Sequence, residues 1–202
     1  MKKTLSAATV WIFQLCIAVQ GQNVTVAEKK ADLGKIATDY FGNPYSTLNA
    51  HSHNDYENTI PFRLAYDRHF GSIEADIWAV NGDLFVSHNK QDITPERTLD
   101  ALYLEPIVKL FRANGGQAWN DSKSTFELLI DLKTSVEPTL SMLAEKLEKY
   151  PDVFDPAINE NAVRIVITGN RPDPSGFSKY PDFIYFDGLL NQKYDVKQLK
   201  RV

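Results

Sequence analysis

The chain has a single cysteine, Cys16, among 202 residues. No internal disulfide and no thiolate metal site can form, so stability has to come from packing. Basic charge is also short. Lysine and arginine number 22 against 26 acidic residues, a formal charge of −4 with no basic run, which argues against nucleic acid as the main partner. No stretch reaches the ~20 apolar residues of a membrane-spanning helix; the apolar region from Ala7 to Val19 is shorter and interrupted by Gln14. Histidine is scarce too, and its four copies, His51, His53, His69 and His88, all fall within one short region.

The amino-terminal region, with Lys2 and Lys3 ahead of that apolar run and a small residue at Gly21, reads as a secretory signal over residues 1–21. Export to a periplasmic or extracellular space is the expectation, with no transmembrane segment after cleavage. Residues 22–47 follow as a leader in which Val26, Leu33, Ile36 and Tyr40 recur at near-helical spacing.

Residues 48–202 then alternate strands with amphipathic helices. Strands are expected at Ser46–His53, Ser72–Val80, Leu84–His88, Phe126–Leu132, Ala162–Thr168 and Phe183–Phe186, with a tight turn at Asn81-Gly82. Helices are expected after Asn58-Thr59, around Leu99–Leu104, after Pro106 and, most clearly, over Ser135–Tyr150. Continuous apolar strands between such helices imply an α/β fold with a parallel sheet covered on both sides, hence a doubly wound sheet or a barrel, and acids at several strand ends favour a (β/α)8 TIM-type barrel. Such barrels take about 250 residues, whereas 181 follow the signal (202 − 21). A barrel incomplete at its C-terminus is therefore expected.

The chemistry lies at those strand ends. Glu74 and Asp76 stand two apart on one strand, so they share a face. Two unpaired carboxylates in a barrel interior cost several kcal/mol each, which a hard cation relieves; pairing with Lys133 or Arg63 is the bland alternative. Asp131 also closes an apolar strand and is the natural third ligand. Three carboxylates suit Mg2+ or Ca2+ better than zinc. His53 and His88 end separate strands on either side of the acid pair, and imidazoles suit the acceptance and donation of protons near neutral pH. His51 shares a strand face with His53 and is open to either a packing or a chemical role. Asn54 and Asp55 could touch substrate or orient His53, and Lys133 and Arg171 could neutralise phosphate oxygens.

Taken in order, His53-Asn54-Asp55-Tyr56, Glu57-Asn58-Thr59, Ile73-Glu74-Ala75-Asp76-Ile77 and Leu84-Phe85-Val86-Ser87-His88 resemble the phosphatidylinositol phospholipase C-like phosphodiesterase superfamily. The likeness is greatest to its glycerophosphodiester phosphodiesterases, and Leu129-Ile130-Asp131-Leu132-Lys133-Thr134 looks like the third-ligand strand of the sphingomyelinase D branch. The resemblance covers about residues 48–190. It implies a (β/α)8 barrel holding Mg2+ or Ca2+ on Glu74, Asp76 and Asp131, with His53 and His88 as the acid–base pair. The expected substrate is a phosphodiester small molecule or lipid head group, and the expected state a monomer. Asn54-Asp55 stands where the glycerophosphodiesterase branch has Arg-Gly. Two competing readings are a zinc amidohydrolase, for which His51-Ser52-His53 would supply a metal pair, and a non-catalytic binding module that keeps its acids for structure.

Overall fold

The computed structural model describes residues 46–202. The expected signal over residues 1–21 and all but the end of the leader over 22–47 lie outside the described residues. No helix among those described is long and apolar enough to cross a membrane.

Six strands form one sheet: β1 (His51–Ser52), β2 (Ser72–Val80), β3 (Asp83–Val86), β4 (Glu127–Leu132), β5 (Arg164–Gly169) and β6 (Ile184–Phe186). Their order is β1-β2-β4-β5-β6, all parallel, while β3 folds back antiparallel on β2 after the Asn81-Gly82 turn. The expected α/β class and mostly parallel sheet are present. The (β/α)8 barrel, expected here as incomplete, is not formed: β1 and β6 are the two ends of the strand order and do not pair, so among the described residues the sheet is open.

The helices are α1 (Arg63–Tyr66), α2 (Glu105–Ala113), α3 (Val136–Leu147), α4 (Pro151–Phe154) and α5 (Val196–Leu199). A wide-turned segment, Asp100–Leu104, leads directly into α2. Alternation along the strands divides the sheet into two unlike faces. Ile73, Ala75 and Ile77 of β2, Leu128, Ile130 and Leu132 of β4, and Ile165 and Ile167 of β5 are buried together with Ile107 and Phe111 of α2 and Leu140, Leu143 and Leu147 of α3. At ~1.5–3 kcal/mol for each fully buried large aliphatic side chain, this face holds the sheet together. The opposite face carries Ser72, Glu74 and Asp76 beside Glu127, Leu129 and Asp131, and then Arg164, Val166 and Thr168. Expecting both faces to be covered by helices was too symmetrical; the second face is polar and partly open to solvent.

Two expected elements are shorter than their patterns suggest. The strand over Ser46–His53 shrinks to two residues, because Thr47–Asn49 wind into a 3-10 turn and Asn54 takes up the left-handed conformation at φ 49°. The helix after Asn58-Thr59 starts only at Arg63, because Phe62 has a positive φ of 60° that no helix accommodates.

Gly71 fixes where β2 starts. Its amide donates to the Thr47 carbonyl at 3.1 Å, and a Cβ there would lie 1.8 Å from the Leu48 carbonyl oxygen. Only glycine lets the turn before β1 pack this tightly against β2. Gly71→Ala is expected to cost about 2 kcal/mol or more in urea unfolding, the range of overpacking against an unyielding neighbour; an unchanged midpoint would show that the turn yields freely.

Candidate active site

Because β2 and β4 run in register, Asp76 sits directly opposite Asp131, with Glu74 one pleat back on the same face. The three carboxylates each offer an oxygen, all within 4.8 Å of one another. Glu74 and Asp76 are buried, at 6% and 1% exposure, and Asp131 is half-buried. Lys133 lies two residues along β4's path and bonds Asp131 Oδ2 at 2.7 Å and Asp76 Oδ2 at 2.9 Å. Burial alone would lower the Lys133 pKa, but its hydrogen bonds to the two aspartates outweigh that and raise it above the ordinary lysine value. The ammonium therefore stays charged. Its place against the acids makes it a counter-ion to the cluster rather than a free phosphate contact.

Gly169, at the end of β5, leaves room for Asp131. Its φ is +70°, and a Cβ there would lie 1.9 Å from Asp131 Oδ1. On the β1 side, the loop after Ser52 fastens to the same cluster: the Asn54 amide, turned inward by its left-handed conformation, donates to Glu74 Oε2 at 2.8 Å. His51 and His53 bring their Nε2 atoms to 3.5 and 3.7 Å from that oxygen. On the other side His88, just past β3, sets Nδ1 3.2 Å from Asp76 Oδ2. It is held there by the Ser87 amide on the Asp76 carbonyl and by Trp78 Nε1 on the Ser87 carbonyl at 2.8 Å. The expected ligands and both expected histidines thus converge on one spot.

Asp55 has a different job from substrate contact. It is fully buried, and its carboxylate accepts from Ser52 Oγ, Asn58 Nδ2, the Phe62 amide and the Tyr103 hydroxyl at 2.5–3.2 Å. Those bonds tie the histidine-bearing loop to the core and hold Phe62 in its unusual conformation. Arg171 lies in the turn beyond Gly169, at the end of the sheet that carries Asp131, and among the described residues its guanidinium pairs with none of the three acids.

Tyr56 was missed as a site residue. Its hydroxyl lies 2.7 Å from Asp76 Oδ2, 2.9 Å from Asn54 Oδ1 and 3.2 Å from His88 Nδ1, in the middle of the cluster. Burial and the hydrogen bond to Asp76 push its pKa above the ordinary phenol value, so it acts as a donor. Arg97 was missed as well. It donates to the Tyr56 carbonyl at 2.7 Å and the Val86 carbonyl at 3.2 Å, joining the loop to β3. Nothing in local spacing announces contacts across 41 positions of sequence.

Asp76 Oδ2 thus receives Tyr56, His88 and Lys133, while Oδ1 is buried with no hydrogen-bond partner among the described residues. A buried bare carboxylate oxygen is costly unless something positive meets it. Three carboxylates thus face a single lysine ammonium. An all-oxygen set of this kind suits a hard ion.

The description of an AIM6-like phosphodiesterase domain matches residues 41–180, more than half of the chain and all three carboxylates. The chain belongs to that family. Among relatives, it is 27% identical over 194 residues to an altered inheritance of mitochondria protein 6 homolog of Arthroderma benhamiae, covering 84% of this chain and 62% of the relative. It is 31% identical over 159 residues to altered inheritance of mitochondria protein 6 of Kluyveromyces lactis, covering 61% and 38%. The match to the protein of that name from Eremothecium gossypii is 30% over 143 residues, or 60% and 37%. The chain therefore spans less than two thirds of the length of each of these relatives. No solved structure matches it.

Asp55→Ala leaves the Phe62 amide without its acceptor inside the core and the Tyr103 hydroxyl with only the Glu74 carbonyl, at 3.3 Å. A loss of roughly 2 kcal/mol is expected from one unsatisfied buried donor and a lost hydrogen bond to a carboxylate, read by urea unfolding, with the fold otherwise kept. A change within 0.5 kcal/mol, the ordinary scatter of surface substitutions, would mean that the carboxylate does not anchor the loop.

Proposed function

We propose that this AIM6-family domain is a metal-dependent phosphoric diester hydrolase whose substrates are glycerophosphodiesters or related lipid-derived diesters. The observation that carries the reading is the buried, unpartnered Asp76 Oδ1 within a three-carboxylate cluster flanked on both sides by imidazoles. Glu74, Asp76 and Asp131 would hold Mg2+ or Ca2+, which when bound supplies positive charge to stabilise the oxygens of a reacting phosphate.

The protein's own groups account for the proton transfers. At the Glu74 end, His53 or its neighbour His51 takes the proton of the attacking hydroxyl, from water or from the substrate itself. The new oxygen–phosphorus bond forms as the bond to the leaving oxygen breaks, and His88 at the Asp76 end protonates that oxygen. Asp76 and Tyr56 both lie at His88 Nδ1, which turns Nε2 outward toward substrate. With Lys133 engaged by the aspartates, the phosphate's own contacts fall to Arg171 and the exposed edge of the Asn54 turn.

The barrel belongs to the same proposal. The parallel strands β1, β2, β4, β5 and β6 follow one another across the sheet, and the chemical residues stand on the face away from the helical core, as the interior of a barrel does. The zinc amidohydrolase reading is disfavoured, because the metal-capable group found among the described residues is built of carboxylates alone. The engagement of both aspartates by Lys133 favours one rival, a module that keeps its acids purely for structure.

The test is hydrolysis of bis(4-nitrophenyl) phosphate and a glycerophosphodiester panel by the full chain. Turnover is expected with Mg2+ or Ca2+, lost with EDTA and regained on adding the cation back. His88→Ala is expected to lower kcat at least ~100-fold, the usual contribution of a positioned acid or base, without unfolding the protein. A folded chain that turns over no diester with either cation would overturn the hydrolase reading and leave the structural rival standing.

A further inference from the structure

Glu127 begins β4 directly opposite Ser72, the first residue of β2, and Ser72 in turn pairs with His51 of β1. Their side chains form a chain of hydrogen bonds across three strands: Ser72 Oγ donates to Glu127 Oε1 at 3.1 Å, and His51 Nδ1 lies 2.8 Å from Ser72 Oγ. All three line an open cleft of about 460 Å³ on the polar face of the sheet, with Leu129, Arg164 and Val166.

The direction of these bonds is fixed by what each group can do. An ionised carboxylate only accepts, so the one Ser72 proton goes to Glu127. Ser72 Oγ then has only lone pairs to offer His51, and the bond at 2.8 Å requires Nδ1 to carry a proton. In a neutral imidazole the other nitrogen is then bare. That bare Nε2 lies 3.5 Å from Glu74 Oε2.

We infer that Glu127 and Ser72 are positioning residues that hold His51 with its proton on Nδ1, so that His51 supplies the bare nitrogen that accepts a proton from the attacking hydroxyl. His53 brings its Nε2 to a similar distance from Glu74, but its side chain is 71% exposed. No hydrogen bond among the described residues orients its ring. The inference rests on the hydrolase reading for the proton transfer, though not for the tautomer.

The test therefore has two arms. Nitrogen-15 NMR of histidine-labelled full chain, at a pH where His51 is neutral, reads which ring nitrogen carries the proton. Protonated Nδ1 and bare Nε2 are expected for His51, changing to a mixture or to protonated Nε2 in Ser72→Ala and Glu127→Ala and preserved in Ser72→Thr, which keeps the hydroxyl. Bare Nδ1 in the unsubstituted protein, or a tautomer indifferent to both alanine variants, would overturn the relay. In the kinetic arm, with folding checked by circular dichroism, Ser72→Ala and Glu127→Ala are expected to lower kcat roughly tenfold to a hundredfold, the usual cost of losing such an orienting partner. KM should stay within about twofold and Ser72→Thr should recover most of kcat; an unchanged kcat in both alanine variants would overturn the catalytic role given to His51. If the tautomer behaves as expected while the unsubstituted protein turns over no diester, the relay stands and the hydrolase reading falls.

Discussion

Three carboxylates on one face of a sheet set the terms for everything around them. Glu74 and Asp76 are nearly inaccessible to solvent on β2, and the parallel register with β4 sets Asp131 directly beside Asp76. Charges so placed repel one another and have lost much of their water, so the fold has to answer them. Its answers are Lys133, the Tyr56 hydroxyl, the Asn54 amide and the histidines, each drawn from a different part of the chain. Even so, one oxygen of Asp76 has no partner among the described residues.

The supporting structure follows from that demand. A loop able to offer an amide to Glu74 has to turn sharply after β1, which the left-handed Asn54 accomplishes and the buried Asp55 makes rigid. The opposite face of the sheet is free of polar groups along β2 and β4, and it packs against α2 and α3 as an ordinary apolar core. Stability and chemistry are thus divided between the two faces of one sheet. A change in the core is felt at the site only through strand positions, whereas a change in the 52–62 loop reaches the histidines directly.

Much of this was legible in the sequence, and for identifiable reasons. The strand over Ser72–Val80 was read to its last residue, because a long β-rich run ending in Asn-Gly has few alternatives. Glu74, Asp76 and Asp131 could be grouped because period-two spacing and strand-end positions are local signals. The strand at His51 and the helix after Thr59 were overestimated, because hydrophobic pattern does not reveal the positive φ values of Asn54 and Phe62. Sequence leaves Asp55 open between touching substrate and orienting His53, because buried and exposed carboxylates look alike there; its partner Tyr103 is 48 positions away. Tyr56, Arg97 and the pairing of Glu127 with Ser72 depend on strand register and chain reversal, which no single segment encodes. The expected barrel came from the strand-end acids, and the open sheet retains their placement without the closure.

The central claim, that the carboxylate cluster is a cation site, is tested most directly by isothermal titration of Mg2+ and Ca2+ into the full chain, alongside Asp76→Asn and Asp131→Asn variants shown to be folded. One ion per chain is expected to bind the unsubstituted protein, with both variants weakened at least ~10-fold, the loss that perturbing a metal site typically brings. Absence of binding, or binding of equal strength in all three proteins, would contradict the account and return the acids to Lys133 alone.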